Sequence, residues 1–147
     1  MLLFDDNYFM EMAYNQALLA QEQGEVPVGA IVVCQNKIIA KAYNQTETLN
    51  DVTAHAEILA ITAAEQYLGA KYLRDCTLYV TLEPCIMCAG ALYWAQLGKL
   101  VYGAKDEKRG FTLVQPLVTH PKTLIRRGIL EYECQTILQN FFKDLRT

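Results

Sequence analysis

Two short runs in this chain could do chemistry together. The first is His55-Ala56-Glu57; the second, twenty-seven residues after Glu57, is Pro84-Cys85-Ile86-Met87-Cys88. An imidazole and two thiolates are good ligands for zinc. A structural zinc site normally closes on four protein ligands, whereas three leave a position for water, the arrangement of catalytic zinc. His55, Cys85 and Cys88 are therefore expected to hold one Zn2+. Two thiolates offset the ion's charge and make it a milder acid than one held by three neutral histidines. A nearby base then becomes more necessary. Glu57 stands two residues from His55, so it points elsewhere on a helix and can shuttle a proton without being a ligand.

Other readings of these residues exist. A C-x-x-C alone is often structural, and an H-A-E alone occurs by chance. His120 as a fourth ligand would close the site and make it structural. Its loop-like setting beside Pro121 points instead to an exposed loop histidine. Asn44, in Ala42-Tyr43-Asn44, could read a purine edge because an amide both donates and accepts; a strand-end Asn is also a common turn residue.

The elements that would position these groups follow from periodicity. Phe9, Met12, Ala13, Ala17 and Ala20 fall at helical spacing within 6–21. Val28 to Cys34 and Lys37 to Ala42 read as a hairpin about Gln35-Asn36-Lys37. Asp51 and Thr53 are both suitable N-caps for a helix reaching Tyr67, which puts His55 in its first turn. Thr77 to Leu82 is a buried strand. Pro84 suits the first turn of a helix running to Leu97, with Cys85 and Cys88 on one face. The positive end of that helix favours thiolates. Leu100 to Gly103 and Thr123 to Ile129 are further strands. Leu130, Cys134, Ile137, Leu138, Phe141 and Leu145 share one face of a final helix. Strands alternating with helices predict a layered α/β domain with helices on both faces of the sheet.

A chain of 147 residues, 52% hydrophobic and 20% charged, fits a single globular domain spanning 1–147. Asp5 and Asp6 stand where a signal peptide needs positive charge, and no apolar run reaches spanning length, so no membrane association and a cytoplasmic location are expected. Five cysteines, two of them in a C-x-x-C, favour metal over disulfides in a reducing compartment. Cys34, Cys76 and Cys134 are expected to be buried thiols. The net charge of −3 divides into −6 over residues 1–75 (four bases, ten acids) and +3 over 76–147 (nine bases, six acids). The C-terminal half could thus present a local phosphate-binding face, with Lys105, Lys108, Arg109, Arg126 and Arg127 as candidates.

The pattern H-x-E…P-C-x-x-C is that of zinc-dependent nucleobase deaminases. With Glu25-Val26-Pro27-Val28-Gly29-Ala30, Asp51 to Glu57, Leu78 to Ala91, Lys99 to Ala104, Gly128-Ile129-Leu130 and Phe141-Phe142, the chain resembles the bacterial tRNA adenosine deaminase family of the cytidine/deoxycytidylate deaminase superfamily. The resemblance implies a cytidine-deaminase-like three-layer α/β/α sandwich with a five-stranded mixed sheet. It implies a homodimer acting on the wobble adenosine of a tRNA anticodon loop, converting it to inosine. It would make His55, Cys85 and Cys88 the zinc ligands and Glu57 the catalytic proton shuttle. Asn44 would bind the purine, with backbone at Ala56, Leu82 and Glu83 lining the pocket. Asp106 and Lys108 match positions that meet the anticodon loop, and Lys105 and Arg109 flank them. Tyr93-Trp94-Ala95 is closer to bacterial guanine deaminases, so a free base, guanine first, is the alternative substrate. A non-catalytic zinc module that binds RNA or protein is the third reading.

Overall fold

The computed structural model describes residues 3–146, so the ends of the expected 1–147 domain lie outside the described residues. Helix α1 (Asp6–Glu22) leads into β1 (Gly29–Cys34) and β2 (Lys37–Tyr43). Helix α2 (Ala56–Leu68), β3 (Cys76–Leu82), α3 (Ile86–Ala95) and β4 (Lys99–Ala104) follow; β5 (Leu124–Arg127) and α4 (Glu131–Leu145) complete the chain. The five strands form one sheet in the order β2-β1-β3-β4-β5. β1 is antiparallel to β2 and β3, whereas β3, β4 and β5 run parallel. The expected mixed sheet is present.

Alternation along the strands builds two apolar layers. Ala30, Val32, Leu78, Val80, Leu100 and Tyr102 pack with Ala60 and Ala64 of α2 and Ala89 and Leu92 of α3. Ile31, Val33, Tyr79 and Val101 pack with Phe9, Met10 and Ala13 of α1 and Cys134 of α4. α1 lies so close to β1 that a Cβ on Gly29 would overlap the backbone of Ala13 and Ala17. Asp6 ties the first helix to the sheet. Its Oδ1 accepts from the Tyr79 hydroxyl at 2.6 Å and its Oδ2 from Arg126 at 2.7 Å, with Lys99 at 3.6 Å. No helix among the described residues is long and apolar enough to cross a membrane.

Several boundaries differ from the sequence expectation. Neither Asp51 nor Thr53 caps α2. Asp51 Oδ1 instead accepts from the backbone and hydroxyl of Thr53, closing a local turn, and His55 takes the cap position. Pro84 lies outside α3, one residue before the cap Cys85, because its carbonyl is engaged by Phe111 N–H. α3 ends two residues early, where Gln96 turns left-handed at φ 53°. β5 is shorter than expected and open to solvent. Leu130 takes the left-handed cap of α4, and Leu145 faces outward. Cys76 and Cys134 are buried as expected, while Cys34 is half-buried.

Candidate active site

The carboxyl ends of β2, β3 and β4 converge at one end of the sheet, and the segments leaving them enclose a cleft of ≈ 750 Å³. That size suits a small-molecule or single-base pocket. β2 delivers Asn44, and β3 delivers Leu82, Glu83 and, past Pro84, Cys85. The stretch after β4 contributes Lys105, Asp106, Glu107, Lys108 and Arg109, while α2 begins at the cleft with His55, Ala56 and Glu57.

The would-be ligands stand at two helix starts. His55 caps α2 and Cys85 caps α3, both with extended backbone; the imidazole makes no cap bond to its helix, and the Cys85 thiol turns to Cys88 in the first turn of α3. Caps normally use a side-chain oxygen to satisfy a helix amide. Here those positions carry an imidazole and a thiol turned to each other. Cys88, in the first turn of α3, is fully buried. His55 Nδ1 lies 3.7 Å from Cys85 Sγ and 3.5 Å from Cys88 Sγ. All three ligand atoms fall within 4.8 Å of one another. Tetrahedral zinc with ordinary bond lengths places N and S ligands about 3.6 Å apart. The trio therefore fits such an ion by both donor chemistry and spacing. His120 is absent from this group. It sits in a loop beside Tyr93, half-buried, and its Nδ1 accepts from Lys122 N–H.

The electrostatics follow from burial and mutual contact. The neighbouring Cys88 thiol, with His55, draws Cys85 down to about 3 against the cost of burial. Cys88 is pushed the other way by Cys85, burial and Glu57. His55 is raised by Cys85. Glu57 is only 4% exposed, and burial lifts it to about 7. A carboxyl so placed can hold a proton at neutral pH and release it, as acid–base exchange requires.

Asn44 is 7% exposed, and its Nδ2 donates to Val26 carbonyl at 3.3 Å. That bond turns the amide oxygen elsewhere. Asn44 Oδ1 is the one buried side-chain polar atom without a hydrogen-bond partner among the described residues. An orphaned acceptor lining a cleft is a place for a ligand's donor.

A family model for MafB19-like deaminases matches residues 4–146. A tRNA-specific adenosine deaminase of Aquifex aeolicus (strain VF5) is 47% identical over 143 residues, 95% of each chain. The chain belongs to the tRNA-specific adenosine deaminase family. A structure from a study of A-to-I editing by tRNA:A34 deaminases at the wobble position superposes on this deaminase with a TM-score of 0.84, at 44% identity, covering 89% of this chain and 99% of the other. A guanine deaminase of Bacillus subtilis matches less of the deaminase, 69% of this chain and 66% of its own, with a TM-score of 0.67 at 41% identity.

The site residues named from the sequence lie together in the structure. His55, Glu57, Cys85, Asn44, Ala56, Leu82, Glu83, Lys105, Asp106, Lys108 and Arg109 all line the cleft, with Cys88 buried beside them. Arg126 does not join them; it faces Asp6. Arg127 is likewise outside the cleft lining. Reasoning from sequence missed the outer wall of the deaminase, where α4 contributes Gln135, Leu138, Gln139 and Phe142, with Arg146 just beyond it. The signal was present as polar residues on the helix's less apolar side, but nothing local tied them to the site. Also missed was Glu25, a buried carboxylate bonded to Glu47 N–H, Thr48 N–H and the Thr48 hydroxyl. Burial alone would raise it, yet those donors hold it below the usual carboxylate range. It pins the segment between Asn44 and His55.

Proposed function

We propose that this chain is a zinc-dependent hydrolase that converts the wobble adenosine of a tRNA anticodon to inosine, releasing ammonia. The observation that carries the reading is the His55–Cys85–Cys88 trio, open to a cleft that also holds Glu57 and the unpartnered Asn44 oxygen. His55 Nδ1 and the two Sγ atoms would hold Zn2+, one per chain. When bound, zinc lowers the pKa of a coordinated water and makes it a nucleophile at neutral pH. Glu57 takes one proton from the attacking water and delivers it to the purine ring nitrogen, then carries the second, from the new hydroxyl at C6, to the amine, so that the C6–N bond breaks, C6 becomes a carbonyl and ammonia leaves. Asn44 orients the ring, and backbone at Ala56, Leu82 and Glu83 walls it in. Lys105, Lys108 and Arg109 would meet the backbone of the RNA loop. Asp106 keeps a different task, since its Oδ1 accepts from the amides of Lys108 and Arg109.

A homodimer is part of this reading. The outer side of α3 leaves Ile86, Tyr93 and Trp94 exposed, an apolar strip beside Cys85. Exposed apolar strips of this kind are typical interface material. The free cysteines of the described residues and the nature of the substrate favour the cytoplasm.

The test is incubation of purified, zinc-loaded protein with an anticodon stem-loop RNA and, separately, with free guanine, adenine and cytosine. Inosine in the RNA with ammonia released supports the proposal. Ammonia from free guanine with the RNA untouched would transfer the chain to the free-base reading. No turnover of any of them by zinc-loaded protein would leave a binding module.

A further inference from the structure

The loop that follows β4 carries the cations at the cleft, yet it contains no regular element of its own over 105–109. Its place is set from below by one buried carboxylate. Glu83 is 1% exposed and has no cation against it in any ion pair among the described residues. Its Oε1 accepts from Asp106 N–H at 3.1 Å. Its Oε2 accepts from Thr112 N–H at 3.0 Å and the Thr112 hydroxyl at 2.7 Å. Both ends of the loop are thus drawn to one side chain. Gly110 lies directly over that carboxylate, where any Cβ would overlap it. Asp106 passes the constraint on, because its own Oδ1 accepts from Lys108 N–H and Arg109 N–H, both at 3.0 Å. Two carboxylates in series therefore decide where the amides, and with them the side chains, of Lys108 and Arg109 begin.

We propose that Glu83 is a positioning residue for the polynucleotide: acting through Asp106, it sets Lys108 and Arg109 at the cleft, and so governs how tightly an RNA loop is held more than how fast its base is converted. The proposal rests on the tRNA-deaminase reading. The chemistry also explains why an amide cannot replace the acid. Every partner of Glu83 is a donor, and two of them are backbone N–H groups that cannot turn to accept. In Glu83→Gln one of the two must face an NH2 group.

The experiment measures binding of a labelled anticodon stem-loop RNA over about 50–200 mM salt, with steady-state deamination of the same RNA alongside. Each phosphate contact on a single strand contributes about 0.7 to the slope of log affinity against log salt. Glu83→Gln is expected to raise KM about tenfold, the scale of one lost charged hydrogen-bonded contact, with kcat down less than about threefold. The salt slope should fall by roughly 1–2. Asp106→Ala keeps Glu83 and removes only the acceptor for the two amides, so it should reproduce the shallower slope even if Glu83→Gln does not fold. A general loosening of the chain would not change the number of ions released. A wild-type slope and KM in Asp106→Ala, or a loss confined to kcat, overturns the inference while the deaminase reading stands. A wild-type protein that neither binds nor deaminates the RNA brings down both.

Discussion

At the residue scale, the chemistry is concentrated in side chains that have little else to do. Glu57 makes no ion pair with a lysine or arginine among the described residues, and its burial is what raises it to about 7. Glu57→Gln should therefore keep the metal trio and the fold while turnover falls about 10²–10⁴-fold, the range for a lost acid–base group. Metal content by atomic absorption, measured beside ammonia release, checks this; a variant that turns over normally would remove Glu57 from the mechanism. Asn44→Ala deletes the orphan acceptor and should raise KM about tenfold with a smaller effect on kcat. These residues were legible in the sequence because metal ligands and acid–base groups are rare types at short spacings. Glu25 and Glu83 were legible only as residues near the motifs. Their partners are backbone amides more than twenty residues away, and an amide leaves no mark in a sequence.

At the element scale, the helices and strands were readable because apolar periods of 3.6 and 2 are local properties. The caps were not. Asp51, Thr53 and His55 sit within five residues of each other, and propensity favours the first two. Tertiary placement chose the third, because His55 has to face Cys85 and Cys88 across two elements. The attachment of α1 through Asp6 offers a pH test. Burial raises the Asp6 carboxyl, but the Tyr79 hydroxyl, Lys99 and Arg126 outweigh it, so the folded-state pKa lies below the ordinary value. A depressed carboxyl stabilises the fold fully above its unfolded pKa, about 3.9, and this contribution drains away as pH falls through the lower folded value. Asp6→Asn should thus cost about 1–2 kcal/mol near neutrality. Urea midpoints of wild type and variant should keep a constant gap from about pH 5 to 7 and converge below about pH 4; a gap that widens in acid would contradict the assignment. Gly29→Ala should cost about 1–3 kcal/mol by forcing α1 off β1, read from the same midpoints.

At the scale of the whole molecule, the sheet keeps its chemistry at one end and its apolar strip on the outside of α3. Trp94, at 77% exposure, is the largest side chain on that strip. If the proposed dimer forms through this strip, wild type should sediment as a dimer and Trp94→Glu as a monomer; a wild-type monomer, or a dimer that Trp94→Glu leaves intact, would remove the strip from that role. The layered α/β arrangement was legible from the order of elements and the mixed sheet from the family resemblance, but the position of α4 along the cleft was not. Nothing in its periodicity says which neighbour its polar side will meet.

Glu57 is buried against the cleft. Its carboxyl lies at the floor of the cleft, within the first turn of α2, behind walls built from three different strand ends. A nucleotide still sandwiched between its neighbours cannot lower its ring that far. It must first swing out on its sugar, and the energy of that swing is set by the RNA and not by the protein. Conversion should consequently be quickest where the loop already lets the target hang free, and a target locked in a duplex should be spared even when its surrounding sequence is identical.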